Sequence, residues 1–304
     1  MNDFSNYTII SDRVQKAIEA KRPLVALESS VIAQGLPFPI NLETAVKLEE
    51  IALETGVCPA TIGIINGKIK IGLDLCDMQK LAQEEGIFKV SKRDIPLVIA
   101  REGSGGTTVA STCFIASMMG IKIFATGGIG GVHRDGQNTF DISPDLRELS
   151  HNNVIVISAG PKSIIDIKLT LEYLETIGVP ILGYKTDYCP HFFTNLSNYP
   201  VTMRVDTPEE IALMAKIKWN MNIPGGILVV NPLSNEECLS REEFNKAYHQ
   251  ALQEGEINKI SGNKVTPFLL EKINLLTDGK SMKANILLLE RNVKLASKIS
   301  IACK

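Results

Sequence analysis

The sequence predicts an α/β protein built on a mixed, mainly parallel sheet, and three observations carry that prediction. Short apolar runs alternate with helix-length amphipathic segments almost throughout, the pattern of successive strand–helix units. Several runs break into glycine or polar residues: Leu24–Leu27 into Glu28, Ile121–Thr126 into four glycines within five residues, and Val154–Ala159 into Gly160-Pro161-Lys162. In open α/β sheets ligands lie outside such carboxyl ends. Finally, ATIGII and KIKIGL flank Asn66-Gly67, a strong hairpin signal that adds an antiparallel pair and makes the sheet mixed.

Taken in order, Leu24–Leu27 reads as a strand feeding Glu28-Ser29-Ser30. Asn41 is expected to cap a helix, NLETAVKLEEIALETG, that Gly56 stops, with Val46, Leu48, Ile51, Ala52 and Leu53 on its apolar face. The hairpin follows. Gly105-Gly106-Thr107-Thr108 is then expected to open a buried helix, TTVASTCFIASMMG. After the two glycine-terminated strands comes a helix predicted over Ser163–Ile177, starting at the Lys162 turn. Pro180–Gly183 and Gly226–Val230 are the later strands, the second ending in Asn231-Pro232. Asp187–Val201 has no clean period and reads as a loop near the site or a contact surface. Helices are predicted over Arg241–Glu254, Pro267–Leu276 and Met282–Lys298. With no repeat, low-complexity tract or linker rich in Pro, Gly or Ser, residues 1–304 are expected to form one domain.

Composition excludes several partners. A net charge of −2 supplies no field for nucleic acid or anionic lipid, so any phosphate site must be local. The six cysteines are scattered, with no Cys-x-x-Cys pair, and read as reduced thiols of a cytoplasmic protein. The N-terminus MNDFSNYTII lacks the pattern of a signal peptide. Ser111–Val132 is apolar, but Lys122 in its middle and the glycines at its end argue helix-turn-strand over a membrane span. Gly128-Ile129-Gly130 and Gly103-Ser104-Gly105 both lack the third glycine of the dinucleotide fingerprint. No phosphate-binding loop, His-Glu-x-x-His or Gly-x-Ser-x-Gly motif occurs, so nucleotide-dependent redox and kinase readings have little support.

What remains is a set of polar residues at strand ends. Lys162, directly after an apolar strand, is placed to act as an amine nucleophile. Glu28 is either a solvated strand-end group or an acid, and Lys89, with Lys92, either part of a charged turn or a ligand contact. The Gly105–Thr108 turn fits N-capping and anion binding equally. His133 beside Arg134 fits a ligand, an acid–base group or a plain loop pair. Asp141 fits a cap for the next helix or a ligand for a hard divalent cation. Asn285 by itself reads as an ordinary polar residue of the last helix.

The blocks VALESSVIAQGLPFP, CPATIGIINGKIKIGL, KVSKRDIP, GGTTVASTCFIASMMGIKIFATGGIGGVH, TFDIS, AGPKSIIDIKLTLEYLETIGVP, GGILVVNP and VTPFLL occur in one order. In that order the chain resembles the pseudouridine-5′-phosphate glycosidases, also described as indigoidine synthase A-like, over about residues 10–300. The resemblance implies reversible cleavage of pseudouridine 5′-phosphate to uracil and ribose 5-phosphate. It also implies a three-layer α/β/α fold, a homotrimer and one divalent metal per subunit, usually manganese. By position it makes Lys162 of AGPKSI the covalent nucleophile and Glu28 of VALES the proton donor. Lys89, Val109 of GGTTV and Ser143, Pro144 and Asp145 become substrate contacts, and Thr107 and Thr108, in the same turn as Val109, are expected to be contacts too. Asp141 of TFDIS becomes the metal ligand and Asn285 the residue facing uracil. Apart from the resemblance, His133 stands as an accessory candidate. Three positions depart from the family pattern. Ser30 and Gln34 stand where Thr and His are frequent, and Pro144 where Ala is common. Gln34 argues against a proton role for its loop, and Pro144 is expected to shift the neighbouring backbone contacts.

The chemistry explains why these types would be wanted. The bond joins two carbons, so the leaving atom has no lone pair for the two-carboxylate route of ordinary glycosidases. An amine that captures the anomeric carbon and stabilises it as an iminium (a Schiff base) offers another path. At an ordinary pKa near 10.4 only about one lysine in a few thousand is a free amine at pH 7, so burial or nearby positive charge is required. Two other readings are a catalytically silent binding module on the same scaffold and a lysine-dependent phosphosugar aldolase. Intact Glu28, Lys162 and Asp141 speak against the first, and the second has no need for an amide at Asn285.

Overall fold

The computed structural model describes residues 3–258, 260 and 265–304. Its centre is an eleven-stranded mixed sheet. Across the main path the order is Thr8–Ile10, Lys68–Ile71, Cys58–Ile65, Leu24–Leu27, Ile123–Ala125, Ile155–Ser158, Ile227–Val230, Ile181–Tyr184 and Met203–Val205. From Cys58–Ile65 to Met203–Val205 every neighbouring pair is parallel. Lys68–Ile71 and Gly105–Thr107 run antiparallel to Cys58–Ile65, and Phe88–Val90 lies parallel to Gly105–Thr107. The expected Asn66-Gly67 hairpin is present, with both turn residues at positive φ (47° and 72°), the geometry that matches strand twist in a two-residue loop.

Strand residues alternate between two cores with period two. Val25, Leu27, Ile155, Ile157, Ile227 and Val229 face one, which the helices Ile40–Glu54, Pro208–Asn220, Arg241–Ile257 and Lys280–Ala302 cover. Ala26, Val156, Leu228 and Val230 face the other, covered by Asp12–Glu19, Val109–Met118, Pro144–His151 and Ile167–Thr176. The result is the expected α/β/α arrangement, with central strands apolar on both faces. Among the described residues no helix is long and apolar enough to cross a membrane.

Local differences from the sequence reading have physical causes. Asn41 does not cap its helix; the cap position is Pro39. The buried Asn41 carboxamide instead donates to Ile32 O (2.7 Å) and Ala82 O (3.2 Å), tertiary bonds that hold the 31–35 turn. Leu53 of its helix is exposed. The helix expected from Ser163 begins at Ile167, capped by Asp166, because Ile165–Asp166 first pairs with Val132–His133. Gly105–Thr107 is a strand, and its helix starts at Val109. Asp187–Val201 is largely a β-hairpin of Tyr188–His191 and Thr194–Pro200, with register irregularities that hide its period.

That hairpin buries His191, whose Nδ1 has no hydrogen-bond partner among the described residues. Burial, with the charge of Arg241 adding to it, pushes the imidazole down from 6.5 to about 4. The folded pKa lies below the unfolded one, so the unfolded chain takes up this proton first and stability falls as pH drops from 6.5 towards about 4. His191→Phe is therefore expected to flatten the fall of Tm across that window. An unchanged slope would show that other groups set it.

Candidate active site

Adjacent parallel strands assemble the site. Leu24–Leu27, Ile123–Ala125 and Ile155–Ser158 are neighbours, and their carboxyl ends deliver Glu28, the Thr126–Gly131 turn and Gly160-Pro161-Lys162 to one edge. Glu28 is buried at 8% exposure. Thr126 Oγ1 donates to its Oε1 and Ser30 Oγ to its Oε2, so both carboxylate oxygens are fixed by hydroxyls. Thr126 is itself held: Asn292 Nδ2 donates to its carbonyl (2.7 Å), and Asn292 Oδ1 accepts from Asn231 Nδ2 (3.0 Å). Asn292 is fully buried and lies two helical turns after Asn285 on one helix.

Lys162 is half-buried on its turn. Its N–H donates to Ile129 O (3.0 Å) and its carbonyl accepts from Ile165 N (2.9 Å). The turn is thereby bolted to the glycine segment. A side chain at Gly128 would strike the Phe192 ring (2.6 Å), which explains why that position carries none. Glu28, Lys162, Lys89 and Asn285 line a cavity of about 60 Å³. Lys89 and Lys162 also line a second cavity, of about 590 Å³, together with Thr108, Val109 and Ser143. His133, Asp141, Pro144 and Asp145 contribute further to its wall.

Nearly every residue singled out in the sequence therefore borders one of two adjoining spaces. Thr107 does not. Its side chain is wholly buried, its N–H donates to Ser29 Oγ (2.9 Å) and its hydroxyl to Ile62 O (2.6 Å), so it is spent inside the protein and is not available to a substrate. The expected row of free N–H groups is also shorter than the glycines suggest. Thr108 N donates to Val90 O (3.0 Å) and Ala110 N to Asp145 Oδ1 (2.9 Å). Asp145 Oδ2 accepts from Gly130 N (2.8 Å). The buried Asp145 carboxylate thus ties the glycine turn to the start of the Val109–Met118 helix.

Lys89 sits on the short Phe88–Val90 strand opposite Gly106. Burial, and after it the charge of Lys162, hold its ammonium below the usual lysine range, against the pull of Asp145 and Glu28. The folded state therefore releases this proton more readily than the unfolded one, and the cost to stability is present at neutral pH and relieved as pH rises. Lys89→Met is expected to raise Tm at pH 7, with the gain shrinking in alkaline buffer; a lower Tm at pH 7 would contradict it.

Asp141 does not cap the helix after it; Ser143 does. Its carbonyl accepts from His133 N (3.0 Å) and its side chain is exposed toward the larger cavity. Among the described residues no group of three or more His, Cys, Asp or Glu could hold a metal. A hard divalent ion that keeps most of its waters and takes one carboxylate fits this setting; a fully protein-ligated ion does not. The cysteines are free thiols, and burial pushes Cys189 up to about 12, far from reactivity. Sequence reasoning missed Ser30 as a partner of Glu28, Thr126, Asn231 and Asn292. Thr126 and Asn231 each directly follow a strand, the signal that singled out Glu28.

Comparisons with known proteins agree on the kind of protein. The family model for indigoidine synthase A-like proteins matches residues 13–302. A pseudouridine-5′-phosphate glycosidase of Petrotoga mobilis is 49% identical over 294 residues, covering 97% of this chain and 96% of that protein. Among solved structures, the prealnumycin C-glycosynthase AlnA in complex with ribulose 5-phosphate has a TM-score of 0.89 at 39% identity, covering 97% and 96% of the two chains. An indigoidine synthase A-like protein of Thermotoga maritima has a TM-score of 0.88 at 36% identity, with the same coverage.

Proposed function

The chain belongs to the indigoidine synthase A-like family, and we propose that it cleaves the carbon–carbon glycosidic bond of pseudouridine 5′-phosphate with Lys162 as covalent nucleophile. The products are uracil and ribose 5-phosphate, and the reaction is reversible. One observation carries the assignment of roles: an acid, an amine and a carboxamide (Glu28, Lys162 and Asn285) line one small cavity at the ends of parallel strands. The larger cavity beside it has room for the sugar phosphate.

In this reading Glu28, aimed by Thr126 and Ser30, protonates the ring oxygen to open the ribose. Lys162 attacks the anomeric carbon as a free amine while the bond to the ring oxygen breaks, and the proton its nitrogen then sheds returns to the Glu28 carboxylate. The bond to uracil C5 then breaks, C5 takes a proton from Glu28 or water, and the sugar remains on Lys162 as an iminium. Water adds to the iminium carbon and releases ribose 5-phosphate. Overall one water is consumed, its hydroxyl ending on the sugar and its proton balance on uracil. Asn285 offers both a donor and an acceptor to the base. Lys89, with the backbone around Val109, is the candidate seat of the 5′-phosphate.

Lys89→Ala is expected to raise KM for pseudouridine 5′-phosphate by about 10- to 100-fold, as for a lost charged contact, while altering the weak turnover of unphosphorylated pseudouridine far less. Equal losses on both would remove the phosphate role. A divalent cation, manganese in this proposal, would be held by Asp141 and water, and when bound supplies charge stabilisation to the anionic sugar phosphate. Asp141→Ala is expected to abolish either the metal requirement or the activity; unchanged metal-dependent turnover would exclude Asp141 as the ligand. Family likeness is also the ground for proposing a homotrimer acting in the cytoplasm, and sedimentation velocity tests the trimer.

A further inference from the structure

The space on the base side of the site is larger than the base. The cavity of about 60 Å³ holding Glu28 and Lys162 is a neck between two others. Ser30, Lys89 and Lys162 also line the cavity of about 590 Å³. Gln34, Gly35, Leu270 and Asn285 also line a third, of about 360 Å³. A nucleotide cleaved at the neck points its phosphosugar toward Lys89 and its base toward Asn285, which stands at the mouth of the third cavity. This placement of the base rests on the function proposed above.

The third cavity continues past Asn285 between Leu36, Phe193 and Met282. Pockets that hold drug-sized ligands begin at about 300 Å³, and uracil is far smaller. Gln34 and Asn274 also line this cavity. Gln34 Nε2 donates to Ile87 O (3.2 Å), which holds this side chain in the wall.

We propose that the third cavity admits bases enlarged on the N1–C2–N3 edge, opposite the glycosidic carbon C5, so that pseudouridine 5′-phosphates alkylated on one ring nitrogen are substrates as well. The chemistry is unchanged. The C1′–C5 bond breaks, water gives its hydroxyl to the sugar carbon and C5 takes a proton, and the N-alkyluracil leaves.

The test measures kcat/KM for pseudouridine 5′-phosphate and its N1-methyl and N3-methyl derivatives. The better methylated compound is expected within about tenfold of the parent, the scale of one methyl group in an accommodating pocket. A larger loss for both would overturn the inference. Met282→Trp, which fills the third cavity away from the reacting groups, is expected to lower the methylated substrate's kcat/KM by more than about tenfold and the parent's by less than about threefold. Met282→Phe repeats the test with less added bulk in case the larger residue impairs folding. Parallel losses on both substrates, or no loss on either, would show that the substituent lies elsewhere. If wild type leaves the parent uncleaved, the proposed function itself falls, a result distinct from rejection of the methylated compounds alone.

Discussion

Lys162→Ala is expected to lower kcat for pseudouridine 5′-phosphate by at least about 10⁴-fold, the scale seen when a covalent nucleophile is removed from an otherwise intact site. The backbone of the Gly160-Pro161-Lys162 turn is fixed by its bonds to Ile129 and Ile165, neither of which uses the lysine side chain. The substitution should therefore leave the fold and the cavities in place. Substrate affinity is expected to survive, because Lys89, Val109 and Asn285 remain. A fall in kcat with little change in KM is the signature of an interaction made in the reacting complex. Residual turnover within about tenfold of wild type would show that Lys162 is not the nucleophile.

Glu28→Gln is the second large effect, with an expected loss of about 10²- to 10⁴-fold in kcat, the range for a general acid. Glutamine keeps the shape and still accepts a hydroxyl hydrogen on its oxygen, but it carries no transferable proton. Its amide also meets one of the two hydroxyls donor to donor, unless Ser30 or Thr126 rotates. Thr126→Val separates the two contributions: it removes the bond that aims Glu28 while leaving its carboxyl group. Its loss should be smaller than that of Glu28→Gln. Equal losses would mean that orientation, and not proton transfer, is what Glu28 provides.

Strand ends were legible because the signal is local. An apolar run that breaks into glycine or a polar residue marks both the strand and the place where its carboxyl end meets a ligand. That logic reached Glu28 and Lys162, and it reached the mixed sheet through Asn66-Gly67. It could not show that Thr126 serves Glu28 across 98 residues, or that Asn292 serves Thr126 across 166. Those bonds exist only once the strands are adjacent. Thr107 illustrates the reverse error: its place in a glycine-rich turn suggested ligand contact, yet strand pairing turns it inward to Ile62 and Ser29. The 188–200 hairpin was hidden for a similar reason, since its shifted register removes the alternation a regular strand would print on the sequence. Asn41 shows that a residue of capping type in the right window can be claimed by tertiary partners instead.

The central claim is a covalent bond between Lys162 and the sugar. Its most direct test is intact-protein mass spectrometry after borohydride reduction in the presence of ribose 5-phosphate, with wild type and Lys162→Ala side by side. A reduced sugar adduct on wild type, and none on the variant, is the predicted result. No adduct on either protein, with pseudouridine 5′-phosphate still cleaved by wild type, would contradict the lysine–iminium route.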